Sequence, residues 1–400
     1  MTLPLDGVRV LSVEQYGAGP FGSLYLADMG AEVVKIEPPA GEGRPGGDSS
    51  RQSGPHFLGE NDSHFFQTFN RNKRSLALDL KHPEGKAALH RLVPHFDAVM
   101  NNLRGDQPDK LGLTYDALGH LKPNLVCAHL SAYGRKGERA AWPGYDYLMQ
   151  AEAGYLTLTG EPGGPPSRMG LSIVDYMTGV TCAFALVSAL LGAARTGKGR
   201  DVDVSLYDVA MHQLSYPATW YLNEGEVTGR RPRSGHPSVV PCETLPTKDG
   251  WVFVMCVLPK FWRALAETLG VPELVEDPRF KGPRDRYDNR DALMEILDAK
   301  AQERTTGEWM RLFAGKVPAA PVLDVAEALE NPFLRERGGI VPAPHPMKPG
   351  FAMLANPIRL DEPLPSAVCA PLGADTAAVL GEAGFSEREI AALKASGATG

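Results

Sequence analysis

Four hundred residues with 43% hydrophobic and 22% charged content describe a globular chain long enough for two or three structural units. A formal net charge of -7 argues against a nucleic-acid or anionic-membrane partner, and five cysteines without Cys-x-x-Cys spacing argue against a disulfide framework or a zinc site. The first residues lack the basic and apolar regions of a signal peptide, so the expected setting is a reducing cytoplasm with no membrane partner.

In chain order, the spacing predicts a strand over 8–13, a glycine turn, a helix over 21–29 and a second strand over 31–36. The rhythm repeats with a helix over 83–94, a strand over 98–100, a helix over 115–121 and a strand over 125–130. A further strand over 202–206 leads into a helix from Tyr207. Strands alternating with helices predict an α/β fold, a Rossmann-like parallel sheet with helices on both faces. After about Pro217 the pattern changes. Residues 225–237, rich in Gly, Arg, Pro and Ser, read as a linker or mobile loop. Residues 244–256 read as a hairpin turning at Lys248-Asp249-Gly250, followed by helices over 261–269 and 290–304. The expected organisation is a large domain over 1–215, a smaller α+β domain over 225–325, and a return to the large domain over 326–400.

Asp175 stands out at the junction of a short strand-like run and an apolar helix. Between residues 180 and 194 only Thr181 and Ser188 carry hydroxyl groups, and no side chain is charged. A helix without a polar face is expected to be buried, and this run is too short to span a bilayer. Asp175 at its mouth is either a helix N-cap or a carboxylate facing a cleft.

The turn Gly17-Ala-Gly19-Pro20-Phe-Gly22 follows a strand and opens a helix, with Glu37 about 20 residues on, as a dinucleotide fingerprint requires. Taken literally, it predicts a nicotinamide-binding dehydrogenase. Pro20 removes a backbone donor where a pyrophosphate needs N–H groups, and a tight turn for packing explains the same glycines. There is no Gly-x-Ser-x-Gly or His-Glu-x-x-His motif, and the ten histidines form no metal-like cluster.

Several motifs occur together and in order: Leu5-Asp-Gly-Val-Arg-Val-Leu, Gly19-Pro20, Gly30-Ala-Glu-Val-Val-Lys-Ile-Glu37, Asn70-Arg-Asn-Lys-Arg-Ser-Leu-Ala-Leu-Asp79 and Asp175-Tyr-Met-Thr-Gly179. The chain thereby resembles the class III coenzyme A transferases, relatives of α-methylacyl-CoA racemase, from about Pro4 to Gly381. The resemblance implies an interlocked homodimer and an enzyme with no permanently bound cofactor, coenzyme A entering as substrate. It implies transfer of CoA from an acyl-CoA donor, succinyl-CoA among them, to a free carboxylic acid acceptor.

By the same resemblance, Asp175 attacks the thioester to give an acyl–aspartyl anhydride, then an aspartyl–CoA thioester. An unperturbed Asp, with a pKa near 3.9, is ionised at neutral pH without help. Tyr145 and Asp146 match positions beside the reacting thioester. Arg71, Asn72, Lys73 and Arg74, with Arg104 and Lys110, are the implied CoA handle, since guanidinium and ammonium groups bind phosphate. Gln15, Gly17 and His236 are the implied substrate-side residues. Gly17 stands where formyl-CoA transferases carry glutamine, which weakens formate and oxalate chemistry, and Pro38 replaces an arginine of that branch. The loop over 233–237 lacks their long glycine run, which points toward dicarboxylates. A racemase needs a His before the Asp where this chain has Tyr145-Asp146, so the base suited to proton transfer is missing.

Overall fold

A computed structural model describes residues 2–400 and divides the chain into two compact units. The first unit comprises residues 1–153, 170–214 and 333–400; the second comprises 154–169 and 215–332. Residues 154–169, expected inside the large domain, therefore belong to the second unit, and the chain returns to the first only at 333.

The first unit is built on six strands: β1 (Arg9–Val13), β2 (Glu32–Glu37), β3 (Lys73–Ala77), β4 (Ala98–Asn101), β5 (Val126–Ser131) and β6 (Arg200–Ser205). They pair in parallel in the order β3-β2-β1-β4-β5-β6. Helices cover both faces of a parallel sheet, so its central strands read as apolar runs, and Val10, Leu11, Val34, Val99 and Val126 are fully buried. The order reverses between β1 and β4, and ligands of such sheets bind beyond the carboxyl ends of the strands at that point.

One face carries a helix over Pro83–Leu92, packed with Phe96, Leu380, Phe385 and Leu393 into a single core. The other carries α1 (Ala18–Asp28) against a 24-residue helix, here α2 (Ile173–Thr196). Their backbones touch. A Cβ added at Gly22 would lie 2.5 Å from the carbonyl oxygen of Gly179, and one at Gly179 would lie 2.4 Å from that of Ala18. Only glycine permits this approach. The outer edge of β3 is closed by the carboxyl-terminal segment. Ser75 N–H donates to Asp375 at 2.8 Å, Ala77 N–H to Thr376 Oγ1 at 3.0 Å, and Asp79 N–H to the Ala398 carbonyl at 2.9 Å.

Two expectations about α2 are corrected. It begins earlier than the apolar run and, by length and composition, is long enough to cross a membrane. Nor is it buried all round. Val174, Thr178, Cys182, Leu186, Ala189 and Ala193 face the unit, whereas Val180, Phe184, Val187 and Leu191 form an exposed stripe at helical spacing.

The second unit holds an antiparallel sheet of β7 (Cys242–Pro246), β8 (Trp251–Met255) and β9 (Ala319–Pro321). The hairpin closes with Pro246 opposite Trp251, flanking the 248–250 turn. Trp262, Leu265, Leu293, Leu297, Trp309 and Phe313 form its core. The Ala319–Pro321 segment, for which the spacing predicts no strand, supplies the third strand.

Candidate active site

Asp175 is not a cap. Ser172 occupies the N-cap position of α2, and Asp175 is the third helical residue, in the first turn. The first N–H groups of a helix lack intrahelical acceptors, and that of Asp175 donates to Asp146 Oδ2 at 3.0 Å. Asp146 is buried at the start of a short helix, Asp146–Glu152. Gln150, one turn on and fully buried, donates to Asp146 Oδ1 at 2.6 Å and to the Leu171 carbonyl at 3.2 Å. Asp146 thus caps α2 from a neighbouring element and fixes the backbone of Asp175. Gln150 was missed from sequence, although the Asp-x-x-x-Gln spacing places both on one helix face.

The Asp175 carboxylate itself accepts no hydrogen bond from the described residues. Burial, and then the Asp146 charge nearby, push its pKa up to about 7. A helix N-terminus favours a carboxylate, but these two effects outweigh it. The expectation of an ordinary Asp, ionised without help, is therefore corrected. A partly desolvated carboxylate without donors is a poorly stabilised anion, which raises its nucleophilicity.

Gly17, at the N-cap of α1, lies directly against this carboxylate; a Cβ there would sit 2.4 Å from Asp175 Oδ2. The N–H groups of Ala18 and Gly19 in the first turn of α1 have no intrahelical acceptor. A Cβ at Gly19 would meet the Asn102 side chain at 2.7 Å. Asn102 follows β4 and clasps the loop after β1: its Oδ1 accepts from Gln15 N–H at 2.9 Å and its Nδ2 donates to the Gln15 carbonyl at 2.7 Å. Gln15 contributes backbone to this clasp, its side chain remaining exposed.

These contacts overturn the nicotinamide reading. Gly17, Gly19 and Gly22 are each filled by a neighbour, respectively Asp175, Asn102 and Gly179, which leaves no cradle for a pyrophosphate. Glu37, the residue placed to hold a ribose, is buried and paired with Arg51 at 2.7 Å, with Ser75 Oγ donating to it at 2.7 Å.

The basic segment is corrected as well. Arg71 forms a bidentate pair with Asp28, at 2.6 and 3.1 Å, and donates to the Leu354 carbonyl at 2.7 Å. Asn72, with φ +63°, donates to Asp28 at 2.7 Å and accepts from Ala367 N–H at 2.7 Å. Lys73 is buried and donates to Glu14 at 2.9 Å, the Pro20 carbonyl at 2.9 Å and Asn70 Oδ1 at 3.0 Å. Burial is the main cause that brings its pKa down to about 8. Arg74 pairs with Glu32 and Glu382 at 2.5 and 2.9 Å, together with Arg9, the first residue of β1. That cluster lies at the amino-terminal edge of the sheet, opposite the edge that carries Gly17. All four side chains serve the fold. Arg104 and Lys110, by contrast, follow β4 at the carboxyl edge, exposed, and share Asp106 at 2.6 and 2.5 Å.

Tyr145 is the N-cap residue of the Asp146 helix and 66% exposed. His236 belongs to the second unit. Its Nδ1 accepts backbone N–H groups of Ser238 and Val239 at 3.1 Å, which leaves the ring proton on Nε2, 3.2 Å from Tyr216 Oη. Burial, then Arg290, lowers its pKa. Among the described residues no group of three or more His, Cys, Asp or Glu side chains is arranged to hold a metal ion.

A doubly wound sheet presenting a donor-poor carboxylate beside helix N–H groups that lack intrahelical acceptors is an arrangement suited to acyl transfer. The chain belongs to CoA-transferase family III, whose profile matches residues 5–376. It is similar to a succinate–glutarate CoA-transferase of Agrobacterium fabrum, 32% identical over 96% of this chain and 97% of that protein. It is similar also to the human succinyl-CoA:glutarate CoA-transferase, 31% identical over 98% and 89% of the two chains. An acetyl-CoA:oxalate CoA-transferase of Acetobacter aceti is 34% identical over 89% of each. Among solved structures, a CAIB/BAIF family protein from Brucella suis superposes with a TM-score of 0.82 at 33% identity, covering 96% of this chain and all of that one. The chain is a CoA transferase.

Proposed function

We propose that this enzyme moves CoA from a dicarboxylic acyl-CoA, succinyl-CoA being the first candidate, to a free dicarboxylate through covalent intermediates on Asp175. The observation that carries the mechanism is the half-buried Asp175 carboxylate with no hydrogen-bond donor of its own. One of its oxygens attacks the thioester carbonyl, and CoA thiolate leaves the tetrahedral adduct to give an acyl–aspartyl anhydride. The thiolate then attacks the aspartyl carbonyl, releasing the donor acid and forming an aspartyl–CoA thioester. The acceptor carboxylate repeats the sequence in reverse and leaves as the new CoA ester, restoring Asp175. A thiol with a pKa near 8.5 is a competent leaving group for each step. The N–H groups of Ala18 and Gly19 are the proposed oxyanion donors. Asp146 is proposed to hold the nucleophile's backbone, and Tyr145 to border the thioester. Dicarboxylate preference rests on the names of the relatives.

Arg104 and Lys110, exposed at the ligand-binding edge of the sheet, are the proposed phosphate contacts of CoA. His236 is kept as a proposed substrate-side residue on the family resemblance alone. No resident cofactor is proposed. The apolar stripe of Val180, Phe184, Val187 and Leu191 supports a homodimer, because exposed apolar rows of this kind are normally covered. Five free, buried thiols suit a reducing cytoplasm.

The test is to incubate the enzyme with succinyl-CoA and a panel of free dicarboxylates and to read new CoA esters by mass. Exchange is expected with at least one dicarboxylate, and Asp175→Ala should abolish it while leaving the fold intact. Wild-type exchange by Asp175→Ala would sink the mechanism.

A further inference from the structure

Beneath the site lies a set of buried charges that the transfer chemistry does not consume. Lys35, sealed within β2, donates to the Glu14 carbonyl at 2.8 Å and pairs with Asp48 at 2.9 Å. Asp48 also accepts the backbone N–H of Ser50 at 2.8 Å, and its own N–H donates to Glu37 at 2.9 Å. Its two oxygens lie 3.0 and 3.2 Å from the N–H of Tyr16. Three consecutive residues are therefore pinned from below: Glu14 by Lys35 and Lys73, Gln15 by Asn102, and Tyr16 by Asp48.

Tyr16 is held with φ +68°, a left-handed backbone that an aromatic residue adopts only against a steric cost. Its ring, 44% exposed, rests on Phe65 at 4.9 Å between centroids. The charge-assisted hold on its N–H is what keeps this conformation. The next residue is Gly17, whose Cα stands against Asp175 Oδ2. Were Tyr16 to relax to negative φ, Gly17 would swing and the carboxylate would lose the wall that limits its rotation.

We propose that Asp48 is a positioning residue for CoA transfer. Backed by Lys35, it holds Tyr16 in the strained backbone and so fixes Gly17 as the surface that sets the orientation of the Asp175 carboxylate. The proposal rests on Asp175 as nucleophile. Burying several charges is costly in itself, and here their common effect is to fix one loop beside the reacting group.

The test compares Tyr16→Gly, Tyr16→Ala and Asp48→Asn with wild type and with Asp175→Ala, using succinyl-CoA and glutarate as probes. Tyr16→Gly removes ring and strain together, whereas Tyr16→Ala removes the ring and keeps the strain. Tyr16→Gly and Tyr16→Ala both keep the N–H bonded to Asp48 and should stay near wild-type kcat, with Tyr16→Gly melting above Tyr16→Ala because glycine adopts positive φ without strain. Asp48→Asn should lose about tenfold or more in kcat with KM for succinyl-CoA little changed, and adding Tyr16→Gly to it should restore most of that loss where adding Tyr16→Ala does not. If Asp48→Asn does not fold, the melting temperatures of the Tyr16 pair decide. Wild-type kcat in Asp48→Asn, equal kcat in the two double variants, or equal melting of the Tyr16 pair overturns the proposal. An active Asp175→Ala would instead remove the nucleophile reading, a separate result.

Discussion

Replacing Gly17 by alanine probes the site with a single methyl group. The backbone at Gly17 has φ -104°, so alanine meets no left-handed penalty. The added Cβ would lie 2.4 Å from Asp175 Oδ2 and 3.3 Å from its Cγ. To regain an ordinary contact distance of about 3.5 Å, the oxygen must withdraw by about 1 Å. That oxygen is the free end of a rotatable side chain, so the strain should cost only about 0.5–1.5 kcal/mol of stability. Catalysis is less forgiving, since a 1 Å misplacement costs about 100-fold, or about 2.7 kcal/mol of barrier. The expected outcome is a cooperative fold with a melting temperature close to wild type and kcat for succinyl-CoA and glutarate reduced about 100-fold. Wild-type kcat in Gly17→Ala would refute the reasoning.

The remaining predictions concern protons and charge. Because Asp175 must be ionised to attack and its pKa is raised to about 7, kcat/KM should climb with pH through a midpoint near about 7, and Asp146→Asn should move that midpoint down. The folded chain binds this proton more tightly than the unfolded chain does. Its stabilising contribution is thus full below about pH 4 and lost as pH rises through about 7. Asp175→Asn should accordingly raise the melting temperature at pH 8 but not at pH 4; equal shifts at both would contradict the assignment. Removing both Arg104 and Lys110 should raise KM for CoA esters several-fold without raising it for the free acid, and parallel increases would exclude them as phosphate contacts. In heavy water, acyl-CoA should exchange its acid without gaining α-deuterium, because attack is at the carbonyl carbon; rapid α-exchange without acceptor would restore the racemase reading.

The parallel sheet was legible because its strands are apolar runs at regular intervals, and Asp175 because a carboxylate at the mouth of an uncharged helix is conspicuous. What was misread depends on partners far away in the chain. Arg71, Lys73 and Arg74 look like a free basic patch until Asp28, Glu14 and Glu382 are brought beside them. The glycines of the 17–22 turn imitate a nucleotide fingerprint because close backbone approach has the same sequence requirement whether the neighbour is a phosphate or another helix. The raised pKa of Asp175 depends on Asp146, 29 positions earlier, and on burial, neither of which local pattern reports. Composition likewise gives no account of the bare stripe on α2, since an apolar helix reads alike whichever surface covers it.

The closure of β3 by residues near 375 and 398 bears on how the protein is made. A ribosome adding about 5–20 residues per second needs roughly 15 to 60 s to travel the 300 positions that separate Ser75 from Asp375. Throughout that interval the N–H groups of Ser75, Ala77 and Asp79 lack their final acceptors, and an uncovered strand edge is a template for pairing with other nascent chains. The first unit is also interrupted by the whole of the second, so its contacts span most of the sequence and their loop-closure entropy falls due late. Yield in the cell is therefore set by how well this edge is shielded before the last helix emerges, a burden borne during synthesis and absent from the finished enzyme.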